Sequence, residues 1–449
     1  LSESNTMEKF DYFIEAFKKY IVPRLPISDE IEIRSISPAS MGGDKNELID
    51  MAFNNEEILF LVDRDVEDNF RCVACKLSKE VTSISIREIF PIYKKMRRLY
   101  SGLKLGMIEC TEFEQVFQDV YQSVVCNNLF QGTKNIQAIC GLINEINRWS
   151  NKKYEGKDVS LIFIINQNED VLNAVSEYTN FLKNPASAVI SDKDVAVEFS
   201  LNGYKMVNFS ELDLSSYVKS SKRVDFVPHN LVPLSKYCGG NKVGIVLSDN
   251  KDLLFINNRE IAFAKRSGEW TSFNWNSFCE IMYSFSKKMD LQLIRQIFLC
   301  CINVSFSHVG GGIVIVDDDL EKNNLKKYVD KYDLLNHRFR KNMKEIDAVK
   351  MERHIVLKKL INERNFKEIN ETERTEYLGI DGATIINTEG RILAVGAILN
   401  GVSESSSGAR TAALKGITNV EKNHCIAIKI SEDGYIAVYK NGEQILRIS

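Results

Sequence analysis

A segment near the carboxyl end of the chain carries residues suited to binding a charged ligand. Asp381-Gly382 stands directly before the β-branched, apolar run Ala383–Ile386, which predicts a strand. An acidic residue and a glycine at the start of a strand present a carboxylate and an accessible backbone to a ligand. The Ser/Gly-rich segment Ser403–Arg410 and the turn-rich segment Ser431–Gly442 follow, and both offer side-chain oxygens. We therefore expect a ligand site in this part of the chain.

The order of these segments resembles the diadenylate cyclase domain, a family that condenses two ATP molecules into cyclic di-AMP. Val309–Val316 resembles the family's first apolar strand, and Asp381-Gly382-Ala383 matches its Asp-Gly-Ala motif. Gly408–Thr418 aligns without a gap to its Gly-Thr-Arg-His-Arg-Ala-Ala segment and the Gly-Ile-Ser beyond it, and Ser431-Glu432 matches its Ser-Glu pair. The resemblance covers about residues 270–449.

The resemblance implies a nucleotide site built from all the matched segments. The implied nucleotide-binding residues are Gly311, Gly312, Asp381, Gly382, Ala383, Ser406, Ser407, Gly408, Arg410, Thr411 and Ser431. In an active enzyme, Asp381 and Glu432 would be the catalytic residues and would hold Mg²⁺ or Mn²⁺, which neutralises charge during phosphoryl transfer. The start of the helix after the Ser/Gly-rich segment would add backbone amide donors for phosphate.

The chain departs from the family pattern at this helix. The family's Arg-His-Arg aligns with Arg410-Thr411-Ala412, so one guanidinium remains and neither Thr nor Ala carries positive charge. The leading interpretation is a regulatory sensor that binds an adenine nucleotide or cyclic dinucleotide and is coupled to the N-terminal region. Two alternatives stay open: a divergent active diadenylate cyclase, which is a nucleotidyltransferase, and an interaction scaffold that has lost the ligand.

The expected partners follow from the same chemistry. ATP or a cyclic dinucleotide is the expected ligand. Each cyclase-type domain holds one nucleotide, so turnover requires a homodimer formed through the nucleotide sites. A sensor does not require this dimer and would instead act on a downstream effector protein.

Composition places further limits on function. The 449 residues are 44% hydrophobic and 27% charged, which is typical of globular chains with more than one domain. The formal net charge of −3 gives no general attraction to nucleic acid or to anionic membranes. No stretch approaches the roughly 20 apolar residues of a membrane span, and the amino end lacks the pattern of a signal peptide. We therefore expect a cytoplasmic protein that binds neither membrane nor nucleic acid.

Alternating helix and strand patterns predict an α/β fold in both halves of the chain. We predict an N-terminal α/β domain of unassigned type at residues 1–222 and a C-terminal domain at residues 223–449. The C-terminal domain is expected to contain a diadenylate-cyclase-like core, at about residues 270–449, with a central mixed sheet flanked by helices. The polar segment Ser220–Arg223 marks the predicted boundary, and a small antiparallel meander should follow it.

Cys72 and Cys75 form a C-x-x-C pair, the spacing found in zinc and redox sites. No second pair or histidine stands nearby to complete a zinc site, so ordinary strand packing is the favoured interpretation. The other cysteines lie in apolar segments, which is typical of reduced core thiols.

Acidic side chains follow the predicted strand Ile58–Asp63. They fit either a cation-binding cluster or a solvated turn, and they are Asp63, Asp65, Glu67 and Asp68. His308 precedes the glycine run of the first cyclase-like strand, and it fits either a pocket-lining role or a surface role.

Overall fold

The computed structural model describes residues 3–22, 27–37, 51–53, 57–65, 69–77, 86–109, 112–130, 136–154, 156–167, 171–183, 194–200, 202–213, 225–271, 273, 275–337, 339, 347–361, 364–401 and 408–448. The chain divides into two compact units. The first unit takes its residues from the ranges 1–13, 90–273 and 449, and the second from 14–89 and 274–448.

Helices and strands alternate along both halves of the chain. The elements up to residue 213 are α1 (Glu3–Tyr20), β1 (Ile27–Ile36), β2 (Met51–Phe53), β3 (Glu57–Arg64), β4 (Phe70–Leu77), α2 (Ile86–Lys104), α3 (Phe113–Leu129), α4 (Ile136–Trp149), β5 (Lys153–Tyr154), β6 (Lys157–Asp158), β7 (Leu161–Asn166), α5 (Val171–Leu182), β8 (Val195–Ser200) and β9 (Gly203–Asn208).

The elements after residue 224 are α6 (Val232–Tyr237), β10 (Lys242–Leu247), β11 (Leu253–Asn257), β12 (Glu260–Arg266), β13 (Glu269–Thr271), α7 (Trp275–Phe285), α8 (Leu291–Phe306), β14 (Gly311–Val316), α9 (Leu325–Tyr328), α10 (Ala348–Ile361), α11 (Glu371–Gly379), β15 (Ala383–Asn387), β16 (Ile392–Ala397), α12 (Ala409–Val420), β17 (Cys425–Ile430), β18 (Ile436–Lys440) and β19 (Glu443–Ile448). Among the described residues, no helix has both the length and the apolar character needed to cross a membrane.

The first unit contains a mixed sheet with strand order β13-β12-β11-β10-β7-β8-β9. Strands β7 and β8 are parallel and α5 connects them, while β10 runs antiparallel to β7. Aromatic side chains pack where α5 covers the sheet: the ring centroid of Tyr178 lies 5.5 Å from that of Phe163 and 5.3 Å from that of Phe199. The α/β character predicted for this region is therefore present.

The unit boundary differs from the predicted one at residues 222 and 223. Strand β10 hydrogen-bonds to β7, so the predicted meander β10–β13 continues the sheet of the first unit instead of beginning a new domain. In addition, residues 14–89 group with the second unit. Ser220–Arg223, the predicted linker, lies outside the described residues. The long-range pairing of strands, which local composition does not show, decides which unit the strands after this segment join.

The second unit contains a mixed sheet with strand order β16-β15-β14-β17-β18-β19. Strand β14 is parallel to β15 and antiparallel to β17, with Ile313 opposite Thr384 on one side and Ile428 on the other. The six residues of β14 are all buried. This is the mixed sheet flanked by helices that we expected for the C-terminal region.

Two consecutive glycines of β14 show how helices cover both faces of this sheet. A Cβ atom on Gly311 would lie 2.9 Å from the carbonyl oxygen of Leu378 in α11, while one on Gly312 would lie 3.2 Å from Leu414 Cδ1 in α12. Successive residues of a strand face opposite sides of a sheet. Helix α11 therefore lies on one face of the sheet and α12 on the other.

A separate antiparallel sheet of the second unit has strand order β1-β4-β3-β2. The ring of Phe17 in α1 packs edge-on against Phe60 of β3, with centroids 5.0 Å apart. This small sheet contains the C-x-x-C pair and the acidic turn discussed above.

Candidate functional site

The topology of the second unit brings the predicted site segments to one end of its mixed sheet. Strands β14 and β15 both begin at this end because they are parallel, and β17 ends there because it runs antiparallel to β14. Gly310 therefore lies beside Asp381-Gly382 and Ser431-Glu432. We call this end of the sheet the site end.

Arg410, in the first turn of α12, lies across the site end. A Cβ atom placed on Gly310 would overlap Arg410 Nη1 and would lie 3.3 Å from Glu432 Cγ. Arg410 Nη2 lies 3.3 Å from Asp381 Oδ1, and the Asp381 side chain is 93% exposed while that of Arg410 is 28% exposed. The guanidinium is thus held over the Gly310 backbone between the segments that carry the two predicted acidic residues.

Gly382 is fixed by backbone contact. Its φ angle of +104° lies in a region that favours glycine, and a Cβ atom there would come within 2.6 Å of the Gly396 carbonyl carbon. Asp381 Oδ1 accepts a hydrogen bond from the Gly382 amide at 3.0 Å. Ala383 is buried at the start of β15. The Asp381 carboxylate therefore points outward, while Gly382 packs against the Gly396 backbone and Ala383 is buried.

The predicted glycines Gly311 and Gly312 lie in the sheet behind the site end. Both are buried, and the space beside each is filled by protein: Leu378 and Val304 at Gly311, and Leu414 at Gly312. Their lack of a side chain thus serves the packing of helices onto the sheet. Gly310, the residue before these two, is the glycine that borders Arg410.

Helix α12 begins at the site end. Gly408 is its N-cap residue, and among the described residues no side chain caps the helix. Thr411 is half-buried, whereas Ala412 is only 2% exposed. The predicted binding residues Ser406 and Ser407 lie outside the described residues. Exposed amides in the first turn of a helix attract anions, and Arg410 adds a full positive charge at the same place.

The turn after β17 supplies the remaining side of the site. The Ser431 amide donates to the Tyr435 carbonyl at 2.9 Å, and the Gly434 amide donates to the Ser431 carbonyl at 2.8 Å, which fixes the turn. His308 Nδ1 lies 3.1 Å from the Glu432 carbonyl oxygen. His308 therefore lies at the site end and contacts the Glu432 backbone. This position is the one that the pocket-lining interpretation required.

Asp381 and Glu432 do not offer a ready cation site in this arrangement. Asp381 is paired with Arg410, whose guanidinium also approaches the Glu432 side chain across Gly310. Among the described residues, a group with ligand atoms close enough for one cation is instead Asp317, Asp319 and His424, whose atoms lie within 4.8 Å of one another. These residues border the opposite end of β14 and β17, where a hydrogen bond from His424 Nδ1 to the Asp317 carboxylate raises the pKa of His424. A Mg²⁺ or Mn²⁺ ion at Asp381 and Glu432 would have to displace the Arg410 guanidinium from Asp381, and this metal site stays a prediction.

The C-x-x-C pair and the acidic turn have structural roles. Cys72 and Cys75 are buried in β4, and burial raises the pKa of both thiols, which suits packed, reduced side chains. Asp63 makes two hydrogen bonds to Arg71, at 2.7 and 2.6 Å. Asp65 accepts from the Asn69 amide at 2.9 Å, as a turn residue does. Glu67 and Asp68 lie outside the described residues.

A group of side chains beside the site end was missed by sequence reasoning. Lys429 Nζ donates to the Tyr435 hydroxyl at 2.7 Å, and Arg447 Cζ lies 4.5 Å from the centre of the Tyr435 ring. Lys429 interrupts the otherwise apolar strand CIAIKI, and that single departure was the available sequence signal. Arg447 and Tyr435 gave no signal because the strand register that joins them is not visible in the sequence.

Comparisons with known proteins give little similarity. No protein-family model matches the chain, and no curated protein matches it. Among solved structures, a double mutant of DacA from Staphylococcus aureus aligns with 34% of this chain and 85% of its own, at 20% sequence identity and a TM-score of 0.23. Since a TM-score of this size does not support transfer of a site or an activity, function has to be argued from the residues at the site end.

Proposed function

We propose that the site end binds the phosphate of an adenine nucleotide or cyclic dinucleotide and that the chain acts as a regulatory sensor of this ligand. The observation that carries the proposal is the position of Arg410. Its guanidinium lies in the first turn of α12, over the bare backbone of Gly310. A charged donor and first-turn amides that no described side chain caps together suit an anionic group.

The ion pair with Asp381 does not prevent such binding. Asp381 is almost fully exposed, and exposed ion pairs contribute only about 0–1 kcal/mol because water competes for both charges. A phosphate group carries more negative charge and accepts several charge-assisted hydrogen bonds. We therefore expect phosphate to replace Asp381 as the partner of Arg410.

The sensor role is preferred to catalysis because the charge available for turnover is low. Transfer between two nucleotides requires positive groups around the developing charge of the transition state. Thr411 and Ala412 supply none, and the described pairing of Asp381 is with the Arg410 side chain. A sensor needs only differential binding of its ligand, which this site can supply without a metal.

An active diadenylate cyclase is the second candidate. Arg410 and Glu432 approach Gly310 and Asp381 pairs with Arg410, which supports a role for both acidic residues in such an enzyme. An interaction scaffold without ligand is the third candidate, and an absence of any nucleotide effect would favour it.

One combined assay separates the three candidates. Purified protein is incubated with ATP and Mg²⁺ or Mn²⁺, the products are resolved by chromatography, and the melting temperature is followed with ATP and with cyclic di-AMP. A sensor gives a ligand-dependent rise in melting temperature and no product. Cyclic di-AMP above the level of an Asp381→Ala control overturns the sensor role in favour of the cyclase, and no thermal shift with no product favours the scaffold.

The oligomeric state gives an independent check. Two nucleotide sites must face each other to form both phosphodiester bonds, so a cyclase must dimerise at least transiently. Sedimentation over a wide concentration range, with and without ATP, measures this. A strict monomer counts against the cyclase and leaves the sensor role in place.

A further inference from the structure

Two basic side chains and a tyrosine form a compact group beside the site end. The Tyr435 hydroxyl accepts a hydrogen bond from Lys429 Nζ at 2.7 Å, and Lys429 Nζ lies 4.9 Å from the centre of the Tyr435 ring. Arg447 Cζ lies 4.5 Å from the same ring. We call Lys429, Tyr435 and Arg447 the cationic cluster.

The strand register places the cationic cluster on the α12 face of the sheet. Lys429 is opposite Gly312 in β14 and Ala437 in β18, and Ala437 is opposite Arg447 in β19. Directly opposed residues of antiparallel strands project to the same face. Gly312 faces α12, the helix that carries Arg410. Lys429 and Arg447 therefore extend from the face of the sheet that α12 covers, and α12 carries Arg410.

The cationic cluster is also adjacent to the site end along the chain. Lys429 is two residues before Ser431, a separation of about 7 Å along a strand. The Ser431 amide is hydrogen-bonded to the Tyr435 carbonyl at 2.9 Å. The cationic cluster therefore lies close to Ser431 along β17, on the side of the sheet where Arg410 lies.

The positive charges of the cluster are not neutralised within the described part of the chain. Neither Lys429 nor Arg447 forms an ion pair there, and the buried Arg447 Nε finds no acceptor among the described residues. Both side chains are half-buried. Burial of an unpaired charge costs free energy, and an unpaired charge near a like charge costs more. An anion that bound here would remove that cost.

The state of Tyr435 is consistent with this excess of positive charge. Burial acts to raise its pKa, but the hydrogen bond and the charge of Lys429, with smaller contributions from Ser431 and Arg447, lower the pKa overall. The phenol hydroxyl therefore lies in a positive field, which is the field that an incoming anion would experience.

We propose that Lys429, Tyr435 and Arg447 form a second anion subsite, which binds a terminal phosphoryl group. If the phosphoryl group belongs to the nucleotide held at Arg410, this inference rests on the proposed function. The same side chains would also bind free phosphate. A nucleotide with a phosphate chain occupies both Arg410 and the cluster, whereas a nucleoside monophosphate occupies only one. The site then selects nucleotides by the length of the phosphate chain.

Calorimetric titrations at constant ionic strength test the subsite. ATP, AMP and inorganic phosphate are titrated into the parent protein and into the cluster variants Lys429→Met and Arg447→Met. The control variant is Lys422→Met, which removes an exposed lysine near the other end of β17. We expect each cluster variant to weaken ATP binding roughly tenfold and AMP binding less than twofold, because a charged hydrogen bond to phosphate is lost only with ATP. Lys422→Met should leave both unchanged, and Lys429→Arg, which keeps the charge, should bind ATP nearly as the parent does.

The outcomes distinguish this inference from the proposed function. If Lys429→Met and Arg447→Met are folded and bind ATP as tightly as the parent, the subsite is refuted while nucleotide binding at Arg410 stands. If the parent binds neither ATP nor AMP, the proposed function fails, and the titration with inorganic phosphate then tests the subsite. Phosphate binding by the parent that is lost in Lys429→Met supports the subsite. No phosphate binding by the parent refutes the subsite. If a methionine variant does not fold, Tyr435→Phe replaces it, because that change removes one hydroxyl and keeps the ring under Arg447.

Discussion

The Arg410 guanidinium lies 3.3 Å from the Asp381 carboxylate, and this contact joins the first turn of α12 to the residue pair that precedes β15. The acidic residue is almost fully exposed, whereas the arginine is largely covered. Asp381 is therefore free to move away while Arg410 stays over Gly310. This asymmetry identifies Arg410 as the fixed member of the site and Asp381 as the exchangeable one.

Arg410→Ala should weaken ATP binding by roughly tenfold to a hundredfold, since a charge-assisted hydrogen bond contributes about 1.5–3 kcal/mol. Stability should change little, because the ion pair that is lost is exposed. Calorimetry and thermal unfolding measure the two effects. Unchanged affinities for both ATP and cyclic di-AMP would show that α12 does not hold phosphate.

Asp381→Asn distinguishes a sensor from an enzyme. If phosphate replaces Asp381 at Arg410, removal of the competing charge should tighten ATP binding in the absence of metal by a few-fold. If Asp381 instead holds a cation for catalysis, the same variant should lose metal-dependent ATP binding and all product. Titrations with ATP in EDTA and in excess Mg²⁺ measure both, and weaker binding in EDTA contradicts the exchange of partners.

Gly310→Ala should mimic the loss of Arg410 without removing it. A methyl group at Gly310 overlaps the end of the Arg410 side chain, which is flexible enough to move aside. We expect ATP binding to weaken by about the same factor as in Arg410→Ala, with a small change in melting temperature. Gly239→Ala is the matched control, since no atom lies within 4 Å of its Cβ position. Parent-like affinity in Gly310→Ala would mean that the guanidinium binds equally well from a displaced position.

The convergence of the candidate site segments was predictable from the sequence, but the side chains that meet there were only partly so. The apolar runs before Asp317 and after Asp381 predicted strands of one mixed sheet, and β14 and β15 are parallel neighbours in that sheet. Gly311 and Gly312 were expected to face the ligand, yet both face helices, because a glycine's surroundings depend on which layers cover each side of the sheet. Conversely, the link between Lys429 and Arg447 depends on a register across three strands, which local sequence does not reveal.

Gly382→Ala should destabilise the second unit strongly. The added methyl group would meet the Gly396 backbone at 2.6 Å, and the φ angle of +104° is strained for alanine. We expect a loss on the order of 2–4 kcal/mol in the free energy of unfolding, from the strained backbone and the overlap together. Gly401→Ala separates the two causes, because its φ is +72° but no atom lies within 4 Å. Urea unfolding should show a smaller loss there, about 1–2 kcal/mol, and equal losses would contradict the steric argument.

Glu198 makes the stability of the first unit depend on pH. Burial acts to raise its pKa, but the hydrogen bonds from Tyr237 at 2.5 Å and Lys242 at 2.9 Å, with the charges of Lys242 and Lys205, lower the pKa overall. A lowered pKa in the folded state stabilises the protein above the ordinary glutamate pKa of about 4.3, and this contribution is lost as pH falls through the folded value.

Glu198→Gln should therefore lower stability at pH 7, on the order of 1–3 kcal/mol, and the difference from the parent should shrink as pH falls below about 4. Urea unfolding at several pH values measures the difference. Glu177→Gln, at an exposed position of α5, is the control and should give no such trend. A stability difference that does not change with pH would mean that Glu198→Gln acts by disturbing packing and not by removing the charge.

Introducing the basic residues of the diadenylate cyclase pattern into α12 should have two different results. Thr411 is half-buried, so Thr411→His should be tolerated. Ala412 is 2% exposed, so Ala412→Arg must force a long charged side chain into a packed position, at a cost of about 2–4 kcal/mol. Thermal unfolding and chromatography of the products after incubation with ATP measure the consequences. We expect Ala412→Arg to lower the melting temperature and to yield no cyclic di-AMP. A stable Ala412→Arg variant with tighter ATP binding would instead show that this face of α12 can open toward the site, and the missing charge alone would then explain an inactive parent.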